Sequence, residues 1–456
     1  MDRLTRRRRW AALTALAMGG FAIGLTEFVA MGLLPQIAEG LLPEEFAHSS
    51  SRAIAHAGWT ITAYALGVVV GAPTIAALTA RVSRRRLVCG LLVLFVVGTV
   101  GSAVAPRFEL VLVARFVAAL PHGAYFGAAG LLAATILGPG NAAKGFAVVL
   151  GGLTAANVVG VPAITSLGQA AGWRTAYLII AVMFLLTLAA VVATVPAVPA
   201  DGNGSPRAEL RALRSPQVWL VAAVASIGFG GFFAVDSYIA PITTQVAGLP
   251  PSAVPWVLTA VGLGMTVGNA AGGWCADRDL RRSLLLGFVG TIAALVTFGL
   301  LAPTGVGLFV GAFLVGATSL FLGPALQARL IAVAPGAQLM GAAVNQSAMN
   351  VANSLGAALG GLVIAGGLGY RAPVWLGVGL SVIGLLLATA SFAHRSTGGP
   401  DLPHQEPATA PGGPHQVLDV TGSAFCAMSD RLAEVNVRTR ASWTRSSASS
   451  LSPHRR

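Results

Sequence analysis

The sequence predicts an all-α membrane protein of twelve transmembrane helices, arranged as two six-helix, pseudo-symmetric bundles. Three observations carry this. Of the 456 residues, 55% are hydrophobic and only 10% are charged, more apolar surface than a soluble chain can hide behind a polar exterior. Apolar runs long enough to cross a bilayer, about 20 residues each, recur along the chain. Segments of the first half also reappear in the second. The 57 glycines fit the same class, because small residues let helices approach closely in lipid.

Taken in order, the first six spans cover residues 10–34, 56–79, 87–105, 109–137, 145–168 and 174–196. The second six cover 217–243, 254–276, 284–302, 305–333, 340–367 and 372–393. Residues 1–196 then form an N-terminal bundle and 217–395 a C-terminal one. The stretch 197–216 between them, rich in Pro, Gly and charged residues, reads as an exposed cytoplasmic linker. Residues 396–456, rich in Pro, Ser, Arg and His without a sustained apolar period, are expected to be a disordered cytoplasmic tail. The arginines at 6–9 ahead of span one resemble a signal-peptide start. The run that follows is long for such a signal and no small-x-small cleavage site ends it, so span one is expected to be retained.

The net charge of +13 is spread over short basic clusters between apolar runs, which read as topology signals and not as a nucleic-acid footprint. Arg6, Arg7, Arg8, Arg9, Arg81, Arg84, Arg85, Arg86, Lys144, Arg207, Arg211, Arg214, Arg278, Arg281 and Arg282 all fall on one side. The other side carries isolated arginines together with Glu39, Glu44 and Glu45. The positive-inside rule therefore places both termini in the cytoplasm, and a multi-pass location in the plasma (inner) membrane is expected. Cys89, Cys275 and Cys426 are too scattered for a metal site or a disulfide framework. With no Walker A sequence, ATP is not expected as the energy source, and no G-x-S-x-G or H-E-x-x-H stretch points to an enzyme.

The internal repeat is legible without gaps. ITAYALGVVVG at 61–71 aligns with LTAVGLGMTVG at 258–268, and the same offset of 197 pairs Arg81 with Arg278, Arg84 with Arg281 and Arg85 with Arg282. Ala156-Asn157-x-x-Gly160 matches Ala352-Asn353-x-x-Gly356, and Gly172-Trp173-Arg174 matches Gly369-Tyr370-Arg371. Two six-helix halves in parallel repeat place a substrate site near the midplane between them.

Ionisable groups at membrane depth cost about 2.5–3.5 kcal/mol on insertion scales and mark functional sites. Glu27 falls near the middle of span one, Asp236 in span seven, and Arg115 in span four with His122 seven residues later on the same helical face. Gln36-Ile-Ala38 aligns with Gln245-Val-Ala247 at an offset of 209, which carries Glu27 onto Asp236. Two acids at equivalent depth would face one cavity from opposite halves. Desolvation favours a neutral carboxyl and a nearby guanidinium favours the ionised one, so a conformational change that alters either can load and release a proton. The competing reading is a static buried Glu27–Arg115 salt bridge. Asp236 reads equally as a residue near the external interface, and His122 as a proton relay or a packing residue. Gln346, Asn350 and Asn353 form a polar stripe at helical spacing in span eleven, which either lines the cavity or joins helices. Met31, Tyr125, Asn157, Phe232 and Phe233 are further candidates for contact with a small-molecule substrate.

The stretches TEFVAMGLLPQIA at 26–38, RFVAALPHGAYFG at 115–127, GGLTAANVVGVP at 151–162, NVANSLGAALG at 350–360 and GYRAP at 369–373 carry a resemblance. Over residues 10–395 the chain resembles the major facilitator superfamily, in its twelve-helix drug/proton antiporter branch, and is similar to bacterial sugar-efflux and chloramphenicol-resistance exporters. The resemblance ties the span-four arginine, here Arg115, to proton coupling. It implies an antiporter signature at Gly152, Gly160 and Pro162, although the usual Gly-Pro order reads Gly-Val-Pro here. It also implies a cytoplasmic gate motif, Gly-x-x-x-Asp-Arg-x-Gly-Arg-Arg. The first copy keeps Arg81, Arg84 and Arg85 beyond Gly71, but Ala80 replaces the Asp. The second copy keeps Gly273, Asp277, Arg278, Arg281 and Arg282, so that Asp277 is expected to carry the latch.

The expected function is proton-coupled efflux, by alternating access, of small and largely apolar compounds such as chloramphenicol-like drugs. The proton motive force is the energy source, with no cofactor. The expected partners are substrate, protons and the lipid bilayer, with no nucleic acid, and the chain is expected to work as a monomer. Export of sugars or other metabolites is the alternative, and a transport-inactive sensor or scaffold on the same fold is a third reading. The inward acids and the polar stripe argue against the third, since a scaffold needs neither.

Overall fold

The computed structural model describes residues 5–79, 82–138, 141–196, 213–334 and 338–393. Among them twelve helices are long and apolar enough to cross a membrane: α1 Arg6–Gly32, α2 Ser50–Ile75, α3 Arg84–Val104, α4 Phe108–Leu137, α5 Lys144–Ala171, α6 Trp173–Thr194, α7 Pro216–Asp236, α8 Pro251–Arg278, α9 Leu280–Leu301, α10 Gly305–Ala332, α11 Met340–Leu368 and α12 Ala372–Ala393. No strand occurs among the described residues. The unit Gly399–Arg456, with the tail expected to be disordered, lies outside the described residues, as do 197–212 of the expected linker.

Helix starts follow local chemistry. The Thr5 hydroxyl accepts from Arg8 N at α1, the Asp279 carboxylate from Arg282 N at α9, and the Thr304 hydroxyl from Gly307 N at α10, each satisfying an otherwise orphaned amide. Gly172 and Gly369 precede α6 and α12 with φ of 90° and 78°, a left-handed turn that favours glycine. The arginine that follows each one does the same work. Arg174 Nη1 donates to the carbonyls of Ala103 and Ala105 at 2.7 and 2.8 Å, and Arg371 Nη2 donates to Gly299 O at 2.5 Å. The repeated Gly-aromatic-Arg thus ties α6 to the end of α3 and α12 to the end of α9.

The packing is repeated as well. In the first half α1 packs on α5, α2 on α4, and α3 on α4 and α6; in the second, α7 packs on α11, α8 on α10, and α9 on α10 and α12. The halves meet where α2 lies along α11 and α5 along α8, again a repeat-related pair of contacts. Glycines allow the close crossings: a Cβ on Gly152 would strike the Ala17 carbonyl of α1, and one on Gly264 the Phe313 carbonyl of α10. Leu66, Val97, Leu186, Val267 and Leu386 point outward, the apolar belt that a bilayer solvates.

Some boundaries differ from the sequence expectation. Span two begins at Ser50 instead of 56, with the short helix Ser50–Ala57 as its first part, and the connection after span one is itself helical over Leu34–Leu41 and Pro43–His48. Glu27 lies in the last two turns of α1, not near its middle. Asp236 closes α7, because the chain turns at Ser237 and Tyr238 before helix resumes at Ile239. Both acids are therefore displaced toward the face opposite the N-terminus.

Candidate functional site

Three helices of the first half converge on one buried cation. Arg115 of α4 is fully buried. Its Nη1 donates to Thr26 O on α1 at 2.7 Å and to Thr26 Oγ1 at 3.4 Å, and its Nε donates to Thr60 O on α2 at 3.3 Å. The guanidinium lies over the Tyr64 ring at 4.4 Å and near that of Tyr177 at 5.5 Å. A permanently charged side chain at this depth needs such partners. Nη2 has no hydrogen-bond partner among the described residues.

Glu27 follows Thr26 and is 7% exposed. Arg115 and Asp236 both lie within electrostatic reach of its carboxyl. The static Glu27–Arg115 salt bridge of the competing reading is not made among the described residues; the guanidinium donates instead to the backbone carbonyls of Thr26 and Thr60. The hydrogen bond that Glu27 does make comes from the other half: Asn353 Nδ2 of α11 donates to Oε1 at 3.5 Å.

His122, the residue directly after Pro121 at the break in α4, is also buried. Its Nδ1 shares a 3.2 Å hydrogen bond with Tyr64 Oη, and Gln346 Nε2 of α11 lies 3.4 Å from its Nε2. Tyr64 thus touches both His122 and Arg115. Asn350 Nδ2 turns back to Gln346 O at 3.0 Å. The polar stripe of α11 therefore divides its work. Gln346 and Asn353 reach across to the two titratable residues of the first half, and Asn350 stays on its own helix. Asp236 is 3% exposed, and among the described residues no hydrogen bond or ion pair reaches its carboxyl.

The other substrate candidates are packing residues in this conformation. Met31 is fully buried. Tyr125 sits over Gly19 and donates to Leu16 O at 3.0 Å, which seats α4 on α1. Phe232 and Phe233 form an aromatic cluster with Phe229, with ring centroids 5.1–5.7 Å apart. Asn157 is buried in a π-helical turn, Ala156–Gly160. That turn has a cause in the antiporter signature. Pro162 has no N–H for the carbonyl four residues back, and the ladder widens so that Val161 N–H reaches Ala156 O. Gly160 lets Phe21 and Leu25 of α1 close over the bulge.

Of the gate-motif arginines, Arg85, Arg278 and Arg281 make contacts within their own halves. Arg81 lies outside the described residues. Arg84 opens α3, and a Cβ at Gly71 would strike the Leu120 carbonyl of α4. Arg85 donates to Val192 O at 2.6 Å, Arg278 stacks on Trp274, and Arg281 faces Phe392 at 5.8 Å, each within its own half. Gly273 has only the Pro324 ring, at 4.0 Å, beside its Cβ position. Asp277 is exposed and makes no ion pair among the described residues. The acid that pairs is Asp279, with Arg282 Nε at 3.2 Å.

Sequence reasoning passed over Tyr64 and Arg329. Tyr64 sits opposite Val261 in the repeat, a departure in an otherwise matching stretch. Arg329, in the last turn of α10, is buried and donates through Nη2 to Ser391 O at 2.9 Å and to its Oγ at 3.2 Å. The rule that singled out Arg115, a charge inside an apolar run, applies to it equally.

Comparison with known proteins agrees with this architecture. The chain matches the sequence profile of the Major Facilitator Superfamily over residues 16–254 and again over 237–445. It is 35% identical over 379 residues to the inner membrane transport protein YdhP of Escherichia coli (strain K12), covering 83% of this chain and 95% of that one. It is 34% identical over 363 residues to the putative transporter AraJ of the same strain, covering 79% and 89%. It is 31% identical over 384 residues to a chloramphenicol resistance protein of Streptomyces lividans, covering 82% and 94%. A crystal structure of a bacterial homologue of the lysosomal transporter Spinster, inward-facing and unoccupied, superposes with a TM-score of 0.69 at 16% identity, covering 86% of this chain and 99% of that one. The chain belongs to the Major Facilitator Superfamily and is a membrane transporter, not an enzyme.

Proposed function

We propose that the chain is a proton-coupled exporter of small, largely apolar compounds in a bacterial inner membrane, with Glu27 as the proton carrier. One observation carries the reading. The Glu27 carboxyl is buried within reach of the Arg115 charge, yet its hydrogen bond comes from Asn353 of the opposite half. A carboxyl held between a fixed cation and a movable partner changes its proton affinity when the halves move. The membrane potential adds about 2.3 kcal/mol per charge per 100 mV, enough to drive export. The similarity to a chloramphenicol resistance protein supports a drug-like substrate, and the similarity to YdhP supports the inner membrane. Alternating access then amounts to rocking of the halves about the α2–α11 and α5–α8 contacts.

The test is export from vesicles with an imposed pH gradient, with chloramphenicol, a dye and a sugar side by side. Glu27→Gln is expected to insert normally and to lose gradient-driven export of whichever compound moves. Full export by that variant would remove Glu27 from the coupling, and movement of the sugar alone would replace the drug reading with the metabolite one.

A further inference from the structure

Glu27 stands between two unsatisfied groups of opposite character. On the α11 side, Asn353 Nδ2 donates to Glu27 Oε1 at 3.5 Å while Asn353 Oδ1 is buried with no partner among the described residues. On the α4 side, Arg115 Nη2 is buried with no hydrogen-bond partner among the described residues, on a guanidinium anchored to Thr26 O. An ionised carboxyl has only acceptors to offer, and a neutral one adds an O–H donor. Of the two protonation states of Glu27, only the neutral one can donate to the orphaned amide oxygen, and the ionised one is the better acceptor for the orphaned guanidinium N–H. The present contact, at 3.5 Å, is also longer than the about 2.8 Å of a hydrogen bond to an ionised acceptor.

The two partners differ in what they join. Arg115 and Glu27 belong to the first half, whereas Asn353 belongs to the second. Three side-chain hydrogen bonds run between the halves among the described residues. Gln169 Nε2 donates to Pro251 O at 3.0 Å at the face opposite the N-terminus. The other two, from Gln346 and Asn353, start on α11 and end on His122 and Glu27.

We propose that Asn353 is a positioning residue that reads the proton on Glu27. Neutral Glu27 forms a two-point acid–amide pair with it and holds the halves joined as seen here. Ionised Glu27 turns to Arg115 Nη2, within its own half, and releases α11. No bond is made or broken except the O–H, whose proton leaves to water on the open side. The proposal rests on Glu27 being the proton carrier. The other groups facing Glu27 are Arg115 from α4, Asp236 from α7 and Tyr64 from α2, with Tyr177 of α6 beside Arg115 and His122 reached through Tyr64.

Spin labels at Arg107 and Pro303, exposed in the repeat-related loops opposite the N-terminus, report the joining of the halves in the full chain. Without substrate, the short-distance population is expected to grow as pH falls. Glu27→Gln, whose amide pairs with Asn353 at two points, should hold that population at every pH. Asn353→Leu should require about tenfold more protons to reach the same midpoint, one unit of pH. Asn353→Ser should shift in the same direction and Asn353→Gln should restore much of the response. A wild-type midpoint in both the Leu and the Ser variants, with the response still abolished by Glu27→Gln, overturns the role of Asn353 and leaves Glu27 as carrier. A pH response that is absent in the wild type, or that survives Glu27→Gln, overturns both.

Discussion

Glu27 and Asp236 occupy repeat-related positions on α1 and α7, and both are buried. Their surroundings differ. Glu27 has Asn353 across the interface and a stacked cation nearby. The offset that aligns α2 with α8 carries Tyr64 onto Val261 and Arg115 onto Ala312, so at the repeat-related positions the second half has neither the cation nor its aromatic seat. Asn353 does have a counterpart, Asn157, but Asn157 lies in the π-helical turn of α5 and makes no hydrogen bond to Asp236. The duplicated scaffold therefore carries one equipped acid site and one bare one. The internal repeat explains the positions of the acids, and only the first of the two has a nearby cation and a hydrogen-bond partner from the opposite half among the described residues.

Three measurements break or sharpen this asymmetry. The largest effect is expected for Arg115→Ala. It removes the charged donor to the carbonyls of Thr26 and Thr60, hydrogen bonds worth about 1.5–3 kcal/mol each, so both export and the detergent unfolding midpoint should fall sharply. Arg115→Lys keeps the charge without the planar fork and should recover folding better than transport. Wild-type transport by Arg115→Ala would mean that the cation does not distinguish the two sites.

Asp236→Asn is expected to have an intermediate effect, a reduced export rate with the pH gradient still effective. It should be compared with Glu27→Gln in the same vesicles. If both neutral variants lose gradient coupling to the same extent, the sites act as a pair and the asymmetry is only structural.

The smallest effect tests where the halves are alike. Arg174→Ala and Arg371→Ala each remove a guanidinium that ties two helix ends together. Each should cost about 1–2 kcal/mol in thermal unfolding without changing the pH dependence of export. Arg174 should cost slightly more, since it serves two carbonyls and stacks on Trp173 at 4.4 Å. A change in coupling from either variant would show that these ties do more than hold α6 and α12 in place.

Much of the architecture was legible from residues alone, for a physical reason. In lipid every backbone group must be satisfied within a helix, so apolar run length alone predicts the spans. The paired Gly-aromatic-Arg motifs and the repeat offsets forecast matching packing in both halves. The candidate site was legible as a list of charges in apolar runs, which identified Glu27, Arg115, His122 and Asp236. The pairings were not legible. Arg115 could be expected to seek the one acid nearby, and it bonds the carbonyls of Thr26 and Thr60 instead. Asp277 could be expected to latch the loop, and Asp279 pairs there because it also caps α9.

What the sequence by itself determined was the class of protein, its twelve spans, their duplication and the few polar groups placed at depth, since each follows from local composition and periodicity. What only the tertiary structure decided was which polar group meets which. A hydrogen bond depends on ångström distances between residues such as Glu27 and Asn353, far apart in the chain, and no local pattern encodes such a distance. The reach of α11 across the interface, which turns an acid in a helix into a candidate switch, is a property of how the halves pack.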